Sequence, residues 1–164
     1  MAQQFELTAE MKAVVGKDSD PWPYEVTTTS VRAFARGVGY TDPVYYDVAA
    51  AKAAGYRNLP APPCYLGTAV FIPGRSHEIF SGPVEGQPSL QHGLKNVLDG
   101  GTETETFEQI CAGDTLIAVN RVADLKVRDN PKLGKMLIVT AETRFTNAES
   151  GKLAAIQRAQ VIFY

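Results

Sequence analysis

The feature that most constrains this chain is a change of hydrophobic period near residue 90. Beyond it, Ile117, Val119, Ala123, Leu125 and Val127 alternate with more polar neighbours. Leu137, Val139, Ala141 and Phe145 then alternate with Thr140, Glu142 and Arg144. A period of two belongs to a strand with one face buried and the other wetted. Turn-forming clusters at 128–134 and 147–151 separate these runs, and 152–164 supplies a last strand. The second half therefore predicts a meander of long antiparallel strands. Before residue 90 the signals are those of short helices. A weak helical stretch covers 8–15, and Pro21 and Pro23 force extended backbone into a strand at 24–28. Thr29 or Ser30 can then cap a helix carrying Val31, Phe34, Ala35 and Val38 at helical spacing. Asp47 can cap a second helix, which Gly55 stops in the left-handed conformation. Helices segregated from strands favour an α+β fold over an alternating βαβ sheet.

The segment 64–71 is almost wholly apolar, and Pro63 is suited to a first helical position. A helix that is apolar all round is a buried one, so this is the candidate central element around which the sheet wraps. The Gly- and Pro-rich stretch 72–89 predicts an irregular excursion, a functional loop or a partner-dependent lid. At 164 residues, with 45% hydrophobic and 21% charged, the chain is expected to form one domain, 1–164, with a sizeable core. Its net charge of -2 gives no basic field, which argues against general nucleic-acid binding. No long apolar run and no export-type leader occur, so a cytoplasmic protein without a membrane span is expected. Cys64 and Cys111 lie too far apart to suggest a metal-ligand cluster or a disulfide framework. There is no phosphate-binding glycine loop, paired-histidine zinc motif or nucleophile elbow, so no cofactor and no metal are expected. Histidine chemistry is confined to His77 and His92, of which His92, followed by Gly93, is the better functional candidate.

The informative stretch runs from Ala35 through Arg36, Gly37, Val38, Gly39, Tyr40, Thr41, Asp42, Pro43, Val44, Tyr45 and Tyr46 to Asp47. An Ala-rich helix, Gly55-Tyr56 and Ala61-Pro62-Pro63 follow. Here the chain resembles the MaoC-like dehydratases, whose hydratase motif runs Gly-Asp-x-Asn-Pro-Leu-His-x-Asp. It is most similar to their N-terminal dehydratase branch, which includes the HadA subunit of a (3R)-hydroxyacyl-ACP dehydratase. Tyr24-Glu25-Val26, Phe34-Ala35, Phe107, Gly113 to Leu116, Thr143, Asn147 and Gly151 extend the likeness over nearly the whole chain. The resemblance implies a hot-dog fold, an antiparallel sheet wrapped around a central buried helix. Gly39, Pro43 and Asp47 match the motif, but its catalytic Asp falls on Tyr40, its Asn on Asp42 and its His on Tyr45. In such enzymes the Asp and His jointly deprotonate a water that adds to an enoyl thioester, while a backbone amide polarises the carbonyl. A tyrosine with a reference pKa of about 10 is no base near neutral pH. No catalytic residue is therefore expected, with Asp42 the sole surrogate carboxylate.

The resemblance further implies a division of labour in which a subunit without the dyad pairs with one that has it and shapes the acyl channel. The expected partners are an acyl-CoA or acyl carrier protein substrate and a MaoC-type catalytic subunit, in a heterodimer or heterotetramer. An unpaired sheet edge makes such a partner physically expected. Candidate substrate-binding residues are Tyr40, Asp42 and Tyr45, then Pro62, Cys64 and Tyr65 where the buried helix would begin. Free amides at that helix start would attract the thioester oxygen. Two other functions fit the same chain: a self-sufficient homodimeric enzyme, either a hydratase using Asp42 with His92 or a thioesterase, and an acyl-thioester binding module. Asp99 is expected in a turn, and Glu103 and Glu105, alternating with threonines, on a solvated strand face.

Overall fold

A computed structural model describes residues 5–67 and 90–164. Its elements are α1 (Ala9–Val14), β1 (Trp22–Glu25), α2 (Thr28–Gly37), a 3-10 turn (Pro43–Tyr45), α3 (Val48–Ala53), a second 3-10 turn (Tyr65–Gly67), β2 (Val97–Thr106), β3 (Thr115–Asn130), β4 (Gly134–Asn147) and β5 (Leu153–Phe163). The five strands form one antiparallel sheet in the order β1-β3-β4-β5-β2. The meander expected from the alternation holds for β3 to β5 alone. β2 crosses to the far side of β5, and β1 pairs with β3 on the other side.

Local chemistry accounts for the short helices. Thr8 accepts from the Met11 amide at 3.1 Å to open α1. α2 begins earlier than Thr29 or Ser30 would allow, because Thr27 is the cap and Ser30 its reciprocal partner, each side chain bonding the other's backbone amide. The strand expected over 24–28 correspondingly ends at Glu25, and it begins two residues earlier, at Trp22. Asp47 accepts from Ala49 and Ala50 at 2.6 and 3.2 Å and opens α3, as the sequence indicates. The helix expected over 64–71 differs at its start. Cys64 has a left-handed φ of 64°, and a 3-10 turn follows it. The chain is tied down just before, where Ala61 donates to Ile110 and Ala112 donates to Leu59, both at 2.8 Å, so it must turn sharply at 62–64. Residues 68–71, the excursion at 72–89 and His77 lie outside the described residues.

On β3 the single-phase alternation fails for a definite reason. Leu116, Ala118 and Val122 are buried, whereas Ile117 and Val119 lie half-buried on the opposite face. A bulge inserts Ala123 between the pairs Val122–Ala141 and Asp124–Thr140, and an extra residue inverts the phase. Leu125 then joins the core side opposite Val139. The same break divides the core. One cluster gathers Tyr24, Val31, Leu59, Tyr65, Leu116, Ala118 and Phe145. The other joins Phe5 and Met11 to Val122, Leu125, Leu137 and Val139.

The two sheet edges are finished differently. Along β3, segment 15–26 covers the edge: Gly16 donates to Val122 and Ser19 to Asn120, both at 2.8 Å, and Val26 donates to Asp114 at 2.9 Å. Trp22 and Tyr24 of β1 point inward and are buried, and Pro23 sits between them. A proline there removes a donor from the outermost strand. β2, by contrast, is exposed at every residue but Thr104, which is partly covered. Among the described residues it pairs with β5 alone. Val97, Leu98 and Phe107, three of the large apolar side chains left exposed, lie on it or immediately after it.

Candidate functional site

A cavity of about 450 Å³ opens beside this exposed strand. Its described lining comes from the 58–67 segment (Pro60, Ala61, Pro62, Pro63, Cys64, Tyr65 and Leu66), from Tyr45 and Tyr56, from Gln109 and Ile110, and from Thr104 and Thr106 of β2. An isolated bridge between Pro60 and Cys111 holds the proline-rich wall against the strand side. Asp114, 6% exposed, anchors that region by accepting from the Cys111 amide at 2.8 Å and by pairing with Arg57. Arg57 is half open to solvent, so the main structural role of Asp114 is to accept from the buried Cys111 amide.

Of the residues expected at the site, Tyr45, Pro62, Cys64 and Tyr65 line the cavity. Tyr40 stands behind Tyr45, the two rings stacked at 5.6 Å and 28°. Gly39, with a φ of 80°, and Pro43, at the first position of the 3-10 turn, bring these rings together. Burial holds the Tyr45 phenol above its usual range, and the neighbouring Tyr56, Asp42 and Tyr40 push the same way. Tyr45 therefore stays protonated at neutral pH, able to donate a hydrogen bond but not to take up a proton. Asp42 is exposed, accepts from the Val44 amide at 3.0 Å as the cap of the turn, and is not among the lining residues.

Tyr65 is a core residue as much as a wall residue. It is 2% exposed, its hydroxyl meets Ser30 Oγ at 2.6 Å, and its carbonyl accepts from the Tyr24 hydroxyl at 3.0 Å. Burial also raises its phenol. The expected anchoring amides are in part used locally: Tyr65 donates to Pro62 at 3.1 Å and Gly67 to Cys64 at 3.2 Å. Cys64 is exposed at the cavity wall, whereas Cys111 is fully buried and burial pushes its thiol up.

His92 lies away from the stacked tyrosines. Its ring packs on Phe163 at 4.2 Å and its Nδ1 accepts from the Leu94 amide at 3.1 Å. Asp99, expected in a turn, instead lies within β2, where it accepts from the Gly101 amide at 2.9 Å across a bulge. Among the described residues no group of three or more His, Cys, Asp or Glu side chains converges on a metal-sized site. No helix among them is long and apolar enough to cross a membrane.

The lining residues that sequence reasoning missed are Tyr56, Pro60, Ala61, Pro63, Leu66, Thr104, Thr106, Gln109 and Ile110. Thr104 and Thr106 alternate with Glu103 and Glu105, and that period was the available signal. The wetted glutamates turn the threonines toward the cavity side.

Comparison with known proteins adds the family. A family model described as FAS1-like, dehydratase domain region, matches residues 13–156. A UPF0336 protein of Parafrankia sp. is 32% identical over 133 residues, covering 81% of this chain and 80% of that protein. A UPF0336 protein of Saccharopolyspora erythraea is 35% identical over 118 residues, 71% of each chain. Among solved structures, a MaoC-like dehydratase superposes with a TM-score of 0.70 at 24% identity over 93% of this chain, which spans 42% of that longer protein. The ChsH1-ChsH2 complex from Mycobacterium tuberculosis matches with a TM-score of 0.65 at 16% identity, covering 95% of this chain and 88% of that one. A C-terminally truncated HadBC (3R-hydroxyacyl-ACP dehydratase) complex from the same organism gives 0.61 at 20% identity, covering 88% and 95%. These structural likenesses to dehydratases establish the hot-dog fold, and the family-model match shows that the chain belongs to the family described as FAS1-like, dehydratase domain region.

Proposed function

We propose that this protein is the substrate-channel subunit of a (3R)-specific enoyl-thioester hydratase, or 3-hydroxyacyl-thioester dehydratase in the reverse direction. It works with a MaoC-type partner that carries the Asp and His. The observation that supports this reading is the stacked Tyr40–Tyr45 pair, at the two positions that the sequence resemblance aligns with the carboxylate and imidazole of the hydratase motif. Hydration places hydroxide on C3 and a proton on C2 of the enoyl thioester, so a group that deprotonates water is needed. Tyr45 is held protonated, and Asp42 is exposed and occupied in capping. The prolines, Ala61, Leu66 and Ile110 instead provide an apolar wall for an acyl chain carried on CoA or acyl carrier protein. Because Thr104 and Thr106 belong to the exposed strand, a partner strand added there would extend the cavity across the junction.

The test is co-expression with a MaoC-type protein that has both dyad residues. The purified complex should hydrate an enoyl-CoA, followed by loss of thioester conjugation, and each chain's contribution is read by omitting it. Full turnover by this chain alone, abolished by Asp42→Asn, would overturn the assignment in favour of a self-sufficient enzyme.

A further inference from the structure

The core face of the sheet carries a row of polar side chains at a depth where apolar ones are the rule. Asn120 on β3 pairs with Thr143 on β4, Thr143 with Gln157 on β5, and Gln157 with Thr104 on β2. Directly paired residues share a face, so the four stand in one line across the sheet. The line runs between the two apolar clusters. Ala118, Phe145 and Ala155 flank it on one side, and Val122 flanks it on the other. Asn120 is 5% exposed and Gln157 8%.

Buried polar groups cost stability unless they are bonded. Toward β3 the members of the row bond their neighbours: the Thr143 hydroxyl donates to Asn120 Oδ1 at 2.9 Å, and Ser19 Oγ accepts from the Asn120 amide at 2.9 Å. Toward β2 the bonding is incomplete. Gln157 Nε2 donates to Thr104 Oγ1 at 3.3 Å, and among the described residues Gln157 Oε1 accepts from no group. Either orientation of the side-chain amide leaves one of its ends open.

That open end lies at the border of the cavity. Thr104 is a lining residue, and a Cβ placed on Gly67 would come within 3.4 Å of Gln157 Nε2, beside the lining residues Tyr65 and Leu66. A plain hydrocarbon chain seated here would seal the amide away from water without a partner. A chain bearing a hydroxyl would complete the row, since a hydroxyl both accepts, from Thr104, and donates, to Gln157 Oε1.

We infer that Gln157 and Thr104 form a polar subsite of the acyl cavity, and that it selects acyl thioesters carrying a hydroxyl group farther along the chain than the carbons that react. This rests on the proposed function insofar as the cavity holds the acyl chain.

Binding tests it without any catalysis. The probes are decanoyl-CoA and its single-hydroxyl isomers with the oxygen beyond the β-carbon, titrated into the full chain by calorimetry. One of the isomers should bind at least about tenfold more tightly than decanoyl-CoA, the worth of one net hydrogen bond. Gln157→Leu should abolish that preference and leave decanoyl-CoA bound as well as before or better. Thr104→Val, a near-isosteric change at a partly covered residue, should do the same and carries the test if Gln157→Leu does not fold. A native chain that binds no isomer more tightly than decanoyl-CoA, or a preference that survives both substitutions, would overturn the inference. A complex that hydrates plain enoyl-CoAs while the native chain shows no such preference would sink the subsite and leave the proposed function standing.

Discussion

The two edge strands of this sheet solve the same problem in opposite ways. β1 is four residues long, carries a proline, and buries Trp22 and Tyr24 against the core. The segment leading to it bonds along β3 from Val122 to Asn120, so that edge is finished within the chain. β2 is ten residues long, is almost wholly exposed, and lines a cavity with its inward threonines. A closed edge holds the fold together, and an open one beside a cavity is where function is built. The difference predicts that side chains at the β1 edge set stability and that those at the β2 edge set association.

The largest effect should come from Tyr24→Ala. Tyr24 is 1% exposed, packs edge-on against Phe145 at 5.5 Å and bonds the Tyr65 carbonyl. Removing a buried aromatic side chain should cost about 3–5 kcal/mol in urea unfolding. A loss below about 1 kcal/mol would break the comparison at its closed side. Asp114→Ala, at the end of the covered edge, should cost about 1–3 kcal/mol by orphaning the buried Cys111 amide, while Arg57 rehydrates. On the open edge, Glu103→Ala and Glu105→Ala should each change the unfolding free energy of the isolated chain by less than about 0.5 kcal/mol. A larger loss would mean that these carboxylates already serve the fold.

The smallest effect is a pH dependence from His92, which packs on Phe163 at the β2 end of the sheet. Burial holds its pKa below the ordinary 6.5. The folded state thus binds its proton less readily than the unfolded chain does. Its contribution to stability is present above about 6.5 and is lost as pH falls through the depressed value. Denaturation midpoints measured from pH 7 down to 5 should fall less steeply in His92→Asn than in the native chain. Equal slopes would remove His92 from the account.

Much of this arrangement was legible in the residues. The period of two located β3 to β5, Asp47 announced the start of α3, and the Glu–Thr alternation marked β2 as a strand with a solvated face. The resemblance around Gly39, Pro43 and Asp47 singled out Tyr40 and Tyr45, but not the turn that stacks one on the other. Other features depend on contacts that no local pattern carries. The bulge at Ala123 is a mismatch between two strands, visible only once β3 is paired with β4. Likewise, Ile110 and Gln109 reach the cavity because Pro60 bridges Cys111 across a large sequence separation. The left-handed Cys64 follows from that same tether, which overrides the helix-starting tendency of Pro63. Thr104 and Thr106 needed the strand order, since crossing to the outside of β5 is what places β2 at the edge.

The most direct test of the open edge is amide hydrogen exchange along 97–106, measured in the isolated chain and in a complex with the dyad-bearing partner proposed above. The β2 amides not bonded to β5 should exchange rapidly in the isolated chain and gain strong protection in the complex, while those around Trp22 and Tyr24 stay protected in both. If complex formation leaves exchange along β2 unchanged and protects another surface, the partner does not complete the sheet there, and the account of the cavity fails with it.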